Sequence, residues 1–110
     1  MAKKHNHPCA IAATLNVIGD RWTMLLIREA FYGTTRFGDF LKNTGISRNL
    51  LTERLNQLIQ DGIFVKQPFA DRGTSHVYEL TDKGRALDAV FLAMSKWGNE
   101  HVYGAGKEPV

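Results

Sequence analysis

The chain has 110 residues and a mass of 12.4 kDa, which is enough for one domain and too little for two ordinary ones. Apolar residues make up 44% and charged residues 23%, close to the globular average, so one compact core is expected and a wholly disordered chain is excluded. The net charge of +3 permits a nucleic-acid partner without requiring one. The single cysteine, Cys9, excludes an intrachain disulfide and favours a reducing compartment.

Both ends of the chain are predicted to be flexible tails, at residues 1–8 and 104–110, around one folded domain at residues 9–103. The tails are rich in Gly, Pro, Lys and His. Two lysines near the N-terminus resemble the start of a signal peptide, but polar residues interrupt the apolar run that should follow. No stretch approaches the roughly 18 apolar residues that span a bilayer. The sequence therefore predicts a cytoplasmic protein without a membrane partner.

The first part of the domain predicts two amphipathic helices. Ile11, Leu15 and Ile18 share one face of a short first helix that stops at Gly19. Asp20 then offers an N-cap for the second helix. The residues predicted to form the core stripe of the second helix are Trp22, Leu25, Leu26 and Ala30.

The next two helices are predicted to form a helix-turn-helix. Phe37 and Phe40 mark a short third helix that closes at a turn containing Gly45. Ser47 is the predicted N-cap of a longer fourth helix, which ends before Gly62. The buried stripe of the fourth helix is predicted to comprise Leu51, Leu55, Leu58 and Ile59. A short helix, a tight turn and a longer capped helix make up this motif.

A β-rich stretch follows the helix-turn-helix. Residues 63–69 and 75–80 are short β-rich runs, and the link at residues 70–74 has turn composition, so a β-hairpin is predicted. Pro68 cannot donate to a ladder and should lie near the tip or at an edge. Thr81 is the predicted cap of a last helix. The apolar residues placed on one face of that helix are Leu87, Val90, Phe91, Met94 and Trp97.

The fourth helix carries a polar face opposite its apolar stripe. Base contacts in a helix-turn-helix come from the N-terminal part of its second helix, and Arg and Asn read guanine and adenine edges. A helix N-terminus can also hold a phosphate, and Arg is favoured against the backbone or the minor groove. The candidate DNA-binding residues are Arg36, Ser47, Arg48, Asn49, Thr52 and Arg72. A solvated polar surface is the alternative interpretation of each.

The ordered set of motifs resembles the HxlR-type winged helix-turn-helix regulators, relatives of the MarR group. The motifs that carry the resemblance are CAIAATL at 9–15, IGDRWTMLLIRE at 18–29, RFGDF at 36–40, GISRNLLTERL at 45–55, DGI at 61–63, YELTDKG at 78–84 and WG at 97–98. The resemblance implies a mainly α fold with a small β-hairpin, a winged helix-turn-helix flanked by N- and C-terminal dimerisation helices. It also implies a homodimer that reads an inverted repeat with a recognition helix at about residues 47–61 and a wing at about residues 64–80.

Apolar residues on the outlying helices give a separate argument for a dimer. Ile11 and Leu15 near the N-terminus, with Met94 and Trp97 near the C-terminus, are the candidate interface residues. Packing within one subunit is the alternative. A dimer should read two half-sites about one helical turn, roughly 34 Å, apart on double-stranded DNA.

Cys9, at the start of the first helix, is the candidate sensor. A helix N-terminus makes a thiol more reactive, and the resemblance implies a redox- or electrophile-responsive cysteine at this position. An oxidant or another small-molecule effector is therefore an expected partner, with an inert, partly buried cysteine as the alternative. His5 and His7 alternate with Cys9, but this spacing is not that of a zinc finger, so no metal or other cofactor is expected.

No constellation typical of an enzyme is visible, so no catalytic residue is predicted. The chain has no Gly-rich nucleotide loop, no supported Ser-His-Asp arrangement and no carboxylate pair in a recognisable context. Two functions remain: a dimeric, sequence-specific transcriptional regulator, expected to be a repressor, and a winged-helix protein-interaction module without DNA binding. Arg48, Arg72 and the amide residues of the recognition face favour the regulator.

Overall fold

The computed structural model describes residues 9–69 and 75–104, so all of the two predicted tails except Gly104 lies outside the described residues. In chain order the elements are α1 (Ala10–Ile18), α2 (Arg21–Phe31), α3 (Phe37–Thr44), α4 (Arg48–Gln60), β1 (Phe64–Pro68), β2 (His76–Leu80), α5 (Asp82–Arg85) and α6 (Asp88–Gly98). A π-helical segment, Asn99–Tyr103, continues α6. This order confirms the predicted fold class, mainly α with a two-stranded antiparallel hairpin.

The helix ends follow the predicted capping residues. The Asp20 carboxylate accepts a hydrogen bond from the backbone N–H of Thr23 at 3.0 Å and starts α2. The Ser47 hydroxyl oxygen accepts one from the N–H of Leu50 at 3.2 Å and starts α4. Between the helices of the motif, Gly45 adopts φ +76°, a left-handed conformation that suits glycine and ends α3. The sequence therefore encodes these boundaries locally.

Helices α1 and α2 meet at a sharp bend beside Gly19. The angle between their axes is 81°, so α1 runs nearly perpendicular to α2. Among the described residues no single helix is long and apolar enough to cross a membrane; only these two bent helices taken together reach that length and composition.

The hairpin is anchored at its base and at its side. Its strands run antiparallel, and Pro68 pairs with His76 at the outer end, so the proline lies near the tip as predicted. Phe64, at the base, is buried in the core. The backbone N–H of Tyr78 donates to the carbonyl of Thr35 at 2.8 Å and ties the hairpin to the loop before α3.

The core lies between α2, α3, α4 and the base of the hairpin. Its buried apolar residues are Ile18, Leu26, Ile27, Phe40, Ile46, Leu51, Leu55, Leu58, Ile63 and Phe64. The predicted stripe of α4 is confirmed, with Ile59 partly buried at its margin.

The core face of α2 differs from the predicted stripe. Leu26 is buried and Trp22 packs against the core, but Leu25 is not one of the core residues, whereas Thr23 and Ile27 are buried. The buried side is displaced by about one residue because α2 contacts α1, α3, α4 and β2 at once. Periodicity identifies one apolar face, but it does not show on how many sides a helix is covered.

The last helix is interrupted and only partly packed. Thr81 caps α5 as predicted, its hydroxyl oxygen accepting from the N–H of Gly84 at 3.0 Å, but α5 has only four residues before α6 begins. Leu87, Val90 and Phe91 pack against the core, whereas Met94 and Trp97 lie beyond it. The apolar face predicted for this helix therefore extends past the part of the core that it packs against.

A buried carboxylate, Glu29, joins α2 to α3. Its side chain is 7% exposed and accepts hydrogen bonds from Asn43 Nδ2 at 2.9 Å, Thr34 Oγ1 at 3.0 Å and Arg28 Nη2 at 3.3 Å. Burial raises the pKa of Glu29, but these three donors together outweigh it, so the pKa is held below its ordinary value. The ionised form of Glu29 therefore favours the attachment of the helix-turn-helix to α2.

We expect Glu29→Gln to be less stable than the wild type at pH 7 and to lose that disadvantage in acid. A carboxylate with a lowered folded-state pKa stabilises the fold above its unfolded pKa, about 4.3 for Glu, and this contribution is lost as the pH falls below that value. Urea unfolding of both proteins between pH 7 and 3 measures the difference. A difference in the free energy of unfolding that stayed constant over this range would contradict the prediction, since the other acidic groups titrate in both proteins.

Candidate nucleic-acid interface

The first half of α4 presents a compact polar face to solvent. Ser47, Arg48, Asn49 and Thr52 are all exposed, and the last three occupy neighbouring positions on the helix surface. The Thr52 hydroxyl donates to the carbonyl of Arg48 at 3.1 Å, so towards a ligand it offers a methyl group and an acceptor. The structure thus brings together four of the six predicted DNA-binding residues.

The N-terminus of α4 also offers backbone donors. The hydrogen bonds of the first turn reach Ser47 from the N–H groups of Leu50 and Leu51. The N–H groups of Arg48 and Asn49 precede that turn, at the positive end of the helix dipole. Backbone donors in this position suit an anionic oxygen such as that of a phosphate.

Two arginines rest on aromatic rings next to the helix-turn-helix. The Arg48 guanidinium carbon lies 5.5 Å from the centre of the Phe37 ring, and that of Arg36 lies 4.6 Å from the centre of the Phe69 ring. Arg36 and Phe37 are consecutive at the start of α3. The two cation–π contacts therefore connect α4 to the hairpin through α3 and restrict both side chains.

A charge cluster on the flank of α4 contains an arginine that sequence reasoning missed. Arg54 donates through Nε to Asp20 Oδ2 at 2.9 Å and through Nη2 to Asp20 Oδ1 at 3.3 Å, and its Nη1 pairs with Glu53. The hydrogen bond from Arg54 holds the pKa of Asp20 below its ordinary value, and the same bond raises the pKa of Arg54. The negative charge of Glu53, which alone would oppose a phosphate, is thus compensated by its neighbour. No local signal could reveal this cluster, because Asp20 is 34 residues from Arg54.

The hairpin adds one basic residue to the predicted set. Lys66 is exposed on β1, and its Nζ lies 5.8 Å from the centre of the Tyr78 ring. The sequence could have indicated Lys66 as a basic residue of the wing, because it lies next to another polar residue on a predicted strand. Arg72, the predicted wing contact, lies outside the described residues.

Cys9 lies at the N-cap of α1 and its side chain is exposed. The alternative of a partly buried cysteine does not hold among the described residues, where the Cys9 side chain is exposed. Within residues 9–69 and 75–104 no group of three or more His, Cys, Asp and Glu residues could hold a metal ion. His5 and His7 lie outside that part of the chain.

The four candidate interface residues are apolar and exposed in the single chain. Their exposed fractions are 73% for Ile11, 55% for Leu15, 53% for Met94 and 61% for Trp97. On α6, the last two residues form one open apolar face together with Ala89, Val90 and Ala93. Among residues 9–69 and 75–104, nothing covers the Ile11 and Leu15 side of α1 or the far end of α6.

Comparison with known families gives one model that spans most of the chain. A family model described as an HxlR-like helix-turn-helix matches residues 17–105. The matched range includes every element from α2 to the π-helical segment.

Curated relatives include an HTH-type transcriptional regulator from Mycobacterium tuberculosis, 39% identical over 93 residues. The match covers 84% of this chain and 59% of that protein, so the chain spans less than two thirds of the length of its mycobacterial relatives. The HTH-type transcriptional regulator YodB from Bacillus subtilis is 34% identical over 89 residues, with 80% of each chain covered.

Solved structures with the same architecture are transcription factors and redox regulators. The transcription factor PA1607 superposes with a TM-score of 0.86 at 41% identity and covers 96% of this chain and 73% of its own. Reduced YodB from B. subtilis gives a TM-score of 0.74 at 32% identity, covering 86% of this chain and 95% of its own. The redox regulator HypR in its reduced form gives 0.75 at 32% identity, covering 82% and 90%. YodB is also known in a quinone-bound form.

Proposed function

The chain belongs to the HxlR-like helix-turn-helix family, and on this premise we propose that it is a dimeric, sequence-specific DNA-binding transcriptional regulator. Its partner is double-stranded DNA carrying an inverted repeat, and binding represses the promoter that contains it. The proposal places the protein in the cytoplasm with that DNA and assigns it no catalytic reaction.

The exposed first half of α4 is the observation that carries the proposal. Arg48, Asn49 and Thr52 face solvent together, on a helix whose opposite side is buried in the core. Arg and Asn side chains can pair with base edges in the major groove, which is wide enough to admit an α-helix. The helix N-terminus and Arg36 supply phosphate contacts that fix its register, and Lys66 adds a positive charge on the wing.

The exposed apolar residues of α1 and α6 support the proposed dimer. Large exposed apolar patches in small proteins mark interaction sites, and the open apolar face of α6 can pack against a second copy. A two-fold dimer presents two copies of α4, so its operator is an inverted repeat with half-sites about one DNA turn apart.

The exposure of Cys9 favours a redox- or electrophile-responsive regulator. The thiol is accessible and stands at the start of α1, one of the two helices assigned to the dimer. Relatives include a structure of YodB with a bound quinone and a regulator named for redox control. Addition of the Cys9 thiol to a quinone forms a C–S bond, and the thiol proton moves to a ring oxygen to give a hydroquinone thioether. Oxidation by diamide joins the Cys9 thiols of two copies in a disulfide, while the diazene of diamide takes up the two hydrogens. Either change at the start of α1 lowers operator affinity.

Arg48→Ala is expected to weaken operator binding by about 1–3 kcal/mol and to relax the preference at one base pair. Mobility shifts at two salt concentrations, on matched and substituted operators, measure both effects. If Arg48 contacts a phosphate instead, the loss is uniform across sequences and the salt slope falls by about one. The matched control is Arg85→Ala on α5, which should bind as the wild type does. A chain that binds no duplex even at low salt would favour the protein-interaction module.

Trp97→Glu is expected to convert the dimer into a monomer without unfolding it, because Trp97 is 61% exposed in the single chain. Sedimentation at micromolar concentration should give twice the 12.4 kDa chain mass for the wild type and 12.4 kDa for the variant. Tyr32→Glu, at the C-cap of α2 where the aromatic residue is 72% exposed, serves as the control and should stay dimeric. A monomeric wild type would rule out the dimer.

Diamide or a quinone is expected to weaken operator binding by the wild type and to leave Cys9→Ser unaffected. Cys9 is the only cysteine in the chain, so loss of the response in the variant assigns it to that thiol. Mobility shifts before and after treatment, and mass spectrometry of the treated protein, give the measurement. Equal operator affinity of the modified and unmodified wild type would remove the sensor proposal.

A further inference from the structure

The pair formed by Asp20 and Arg54 joins two parts of the molecule that the sequence does not connect locally. Asp20 is the N-cap of α2, immediately after the bend that separates α1 from α2. Arg54 lies in the middle of α4, on the flank between its buried stripe and its exposed polar face. Their contact is the two-point arrangement of a guanidinium on a carboxylate, with distances of 2.9 Å and 3.3 Å. Such a contact fixes orientation as well as distance.

The carboxylate end of the pair is itself held in place. Asp20 Oδ2 also accepts from the backbone N–H of Thr23 at 3.0 Å and from its hydroxyl at 3.3 Å. Thr23 is buried, so the first turn of α2 is a firm support. Arg54 therefore binds a carboxylate whose position is set by the first turn of α2 rather than by α4.

The other end of the pair is held by the recognition helix alone. Apart from Asp20, the partner of the Arg54 side chain in the described residues is Glu53, its neighbour on α4. Among the described residues, both hydrogen bonds that Arg54 makes to a residue outside α4 thus go to Asp20, at the junction of α1 and α2. An ion pair with side chains 25% and 41% exposed adds little to stability, so stability alone does not account for this geometry.

We propose that Arg54 is a positioning residue: its bond to Asp20 sets the placement of α4 relative to α1, and thereby the half-site spacing that the dimer accepts. The inference rests on the proposed function, because spacing has meaning only for a dimer that reads an inverted repeat. In such a dimer the separation of the two recognition helices depends on how each is fixed to its own dimer helices. Without the pair, α4 keeps its core contacts but gains freedom to tilt, and a wider range of spacings is tolerated.

The test uses two variants that spare the fold. Arg54→Met keeps a long apolar stem and removes the guanidinium. Asp20→Asn keeps an N-cap that accepts from Thr23 and removes the charge. The wild type first selects its inverted repeat from a pool of random duplexes, and synthetic duplexes then carry that repeat with the spacing changed by one or two base pairs. A duplex with a single half-site is included.

The wild type should bind its own spacing about tenfold tighter than the altered ones, and both variants should bind all spacings within about threefold. Asp20→Asn leaves Arg54 beside Glu53, so its affinity for the single half-site and its salt slope should stay as in the wild type. Arg54→Met uncovers the charge of Glu53 and should lower affinity by a similar factor at every spacing and at the single half-site. The spacing profile of the double variant should match that of either single variant, as expected for partners in one contact. The matched control, Arg85→Met, removes an exposed arginine paired with Asp82 on α5 and should keep the wild-type profile.

Three results would overturn the inference while the proposed function stands. These are an unchanged spacing profile in both variants, a salt slope lower by about one in Arg54→Met, which would make Arg54 a phosphate contact, and an equal effect of Arg85→Met. A wild type that selects no duplex overturns the proposed function, and this inference with it.

Discussion

Three leucines on one side of α4 determine what the rest of the molecule can present. Leu51, Leu55 and Leu58 are each at most 1% exposed and face Phe40, Phe64 and the other core residues. Truncating one buried leucine typically costs about 2–5 kcal/mol, so a rotation of α4 that exposed this stripe would be prohibitive. The same burial therefore fixes Arg48, Asn49 and Thr52 in the outward direction. The core thus fixes the direction in which the polar face points, and the proposed role of the Arg54 contact with Asp20 is to limit the tilt that the core still allows.

The features that could be predicted from the sequence are those with a local cause. Asp20 and Ser47 cap helices through donors three residues away, and the stripe of α4 repeats at helical spacing. The contact of Asp20 with Arg54 and that of Arg36 with Phe69 each span more than thirty residues, and residue types alone do not pair them. The displaced core face of α2 has the same origin, since it follows from four neighbouring elements that are known only once the chain is folded. The role of Arg72 stays a prediction.

The second half of α6 extends beyond the hydrophobic core of its own chain. Packing along α6 stops at Phe91, whose ring lies 5.5 Å from that of Phe31, and the apolar residues beyond it are exposed. A domain of this size buries a modest share of its surface, so apolar area of this kind is costly to leave in water. In the proposed dimer, folding and association are therefore linked, and the stability of each subunit depends on protein concentration. The Cys9 thiol lies at the start of α1, one of the two helices assigned to the proposed dimer interface.

The stacking of Arg36 on Phe69 leaves the N–H donors of the guanidinium free of the ring. A cation over an aromatic ring interacts through its charge, whereas the N–H donors of a guanidinium lie around its edge. Arg36 can therefore hold the outer hairpin against α3 through its face and still donate hydrogen bonds to an anionic oxygen through its edge. Lysine has one compact ammonium group for both tasks. Arginine and lysine would therefore carry the same charge at position 36, but only the flat guanidinium has a face for the ring and an edge for an anion.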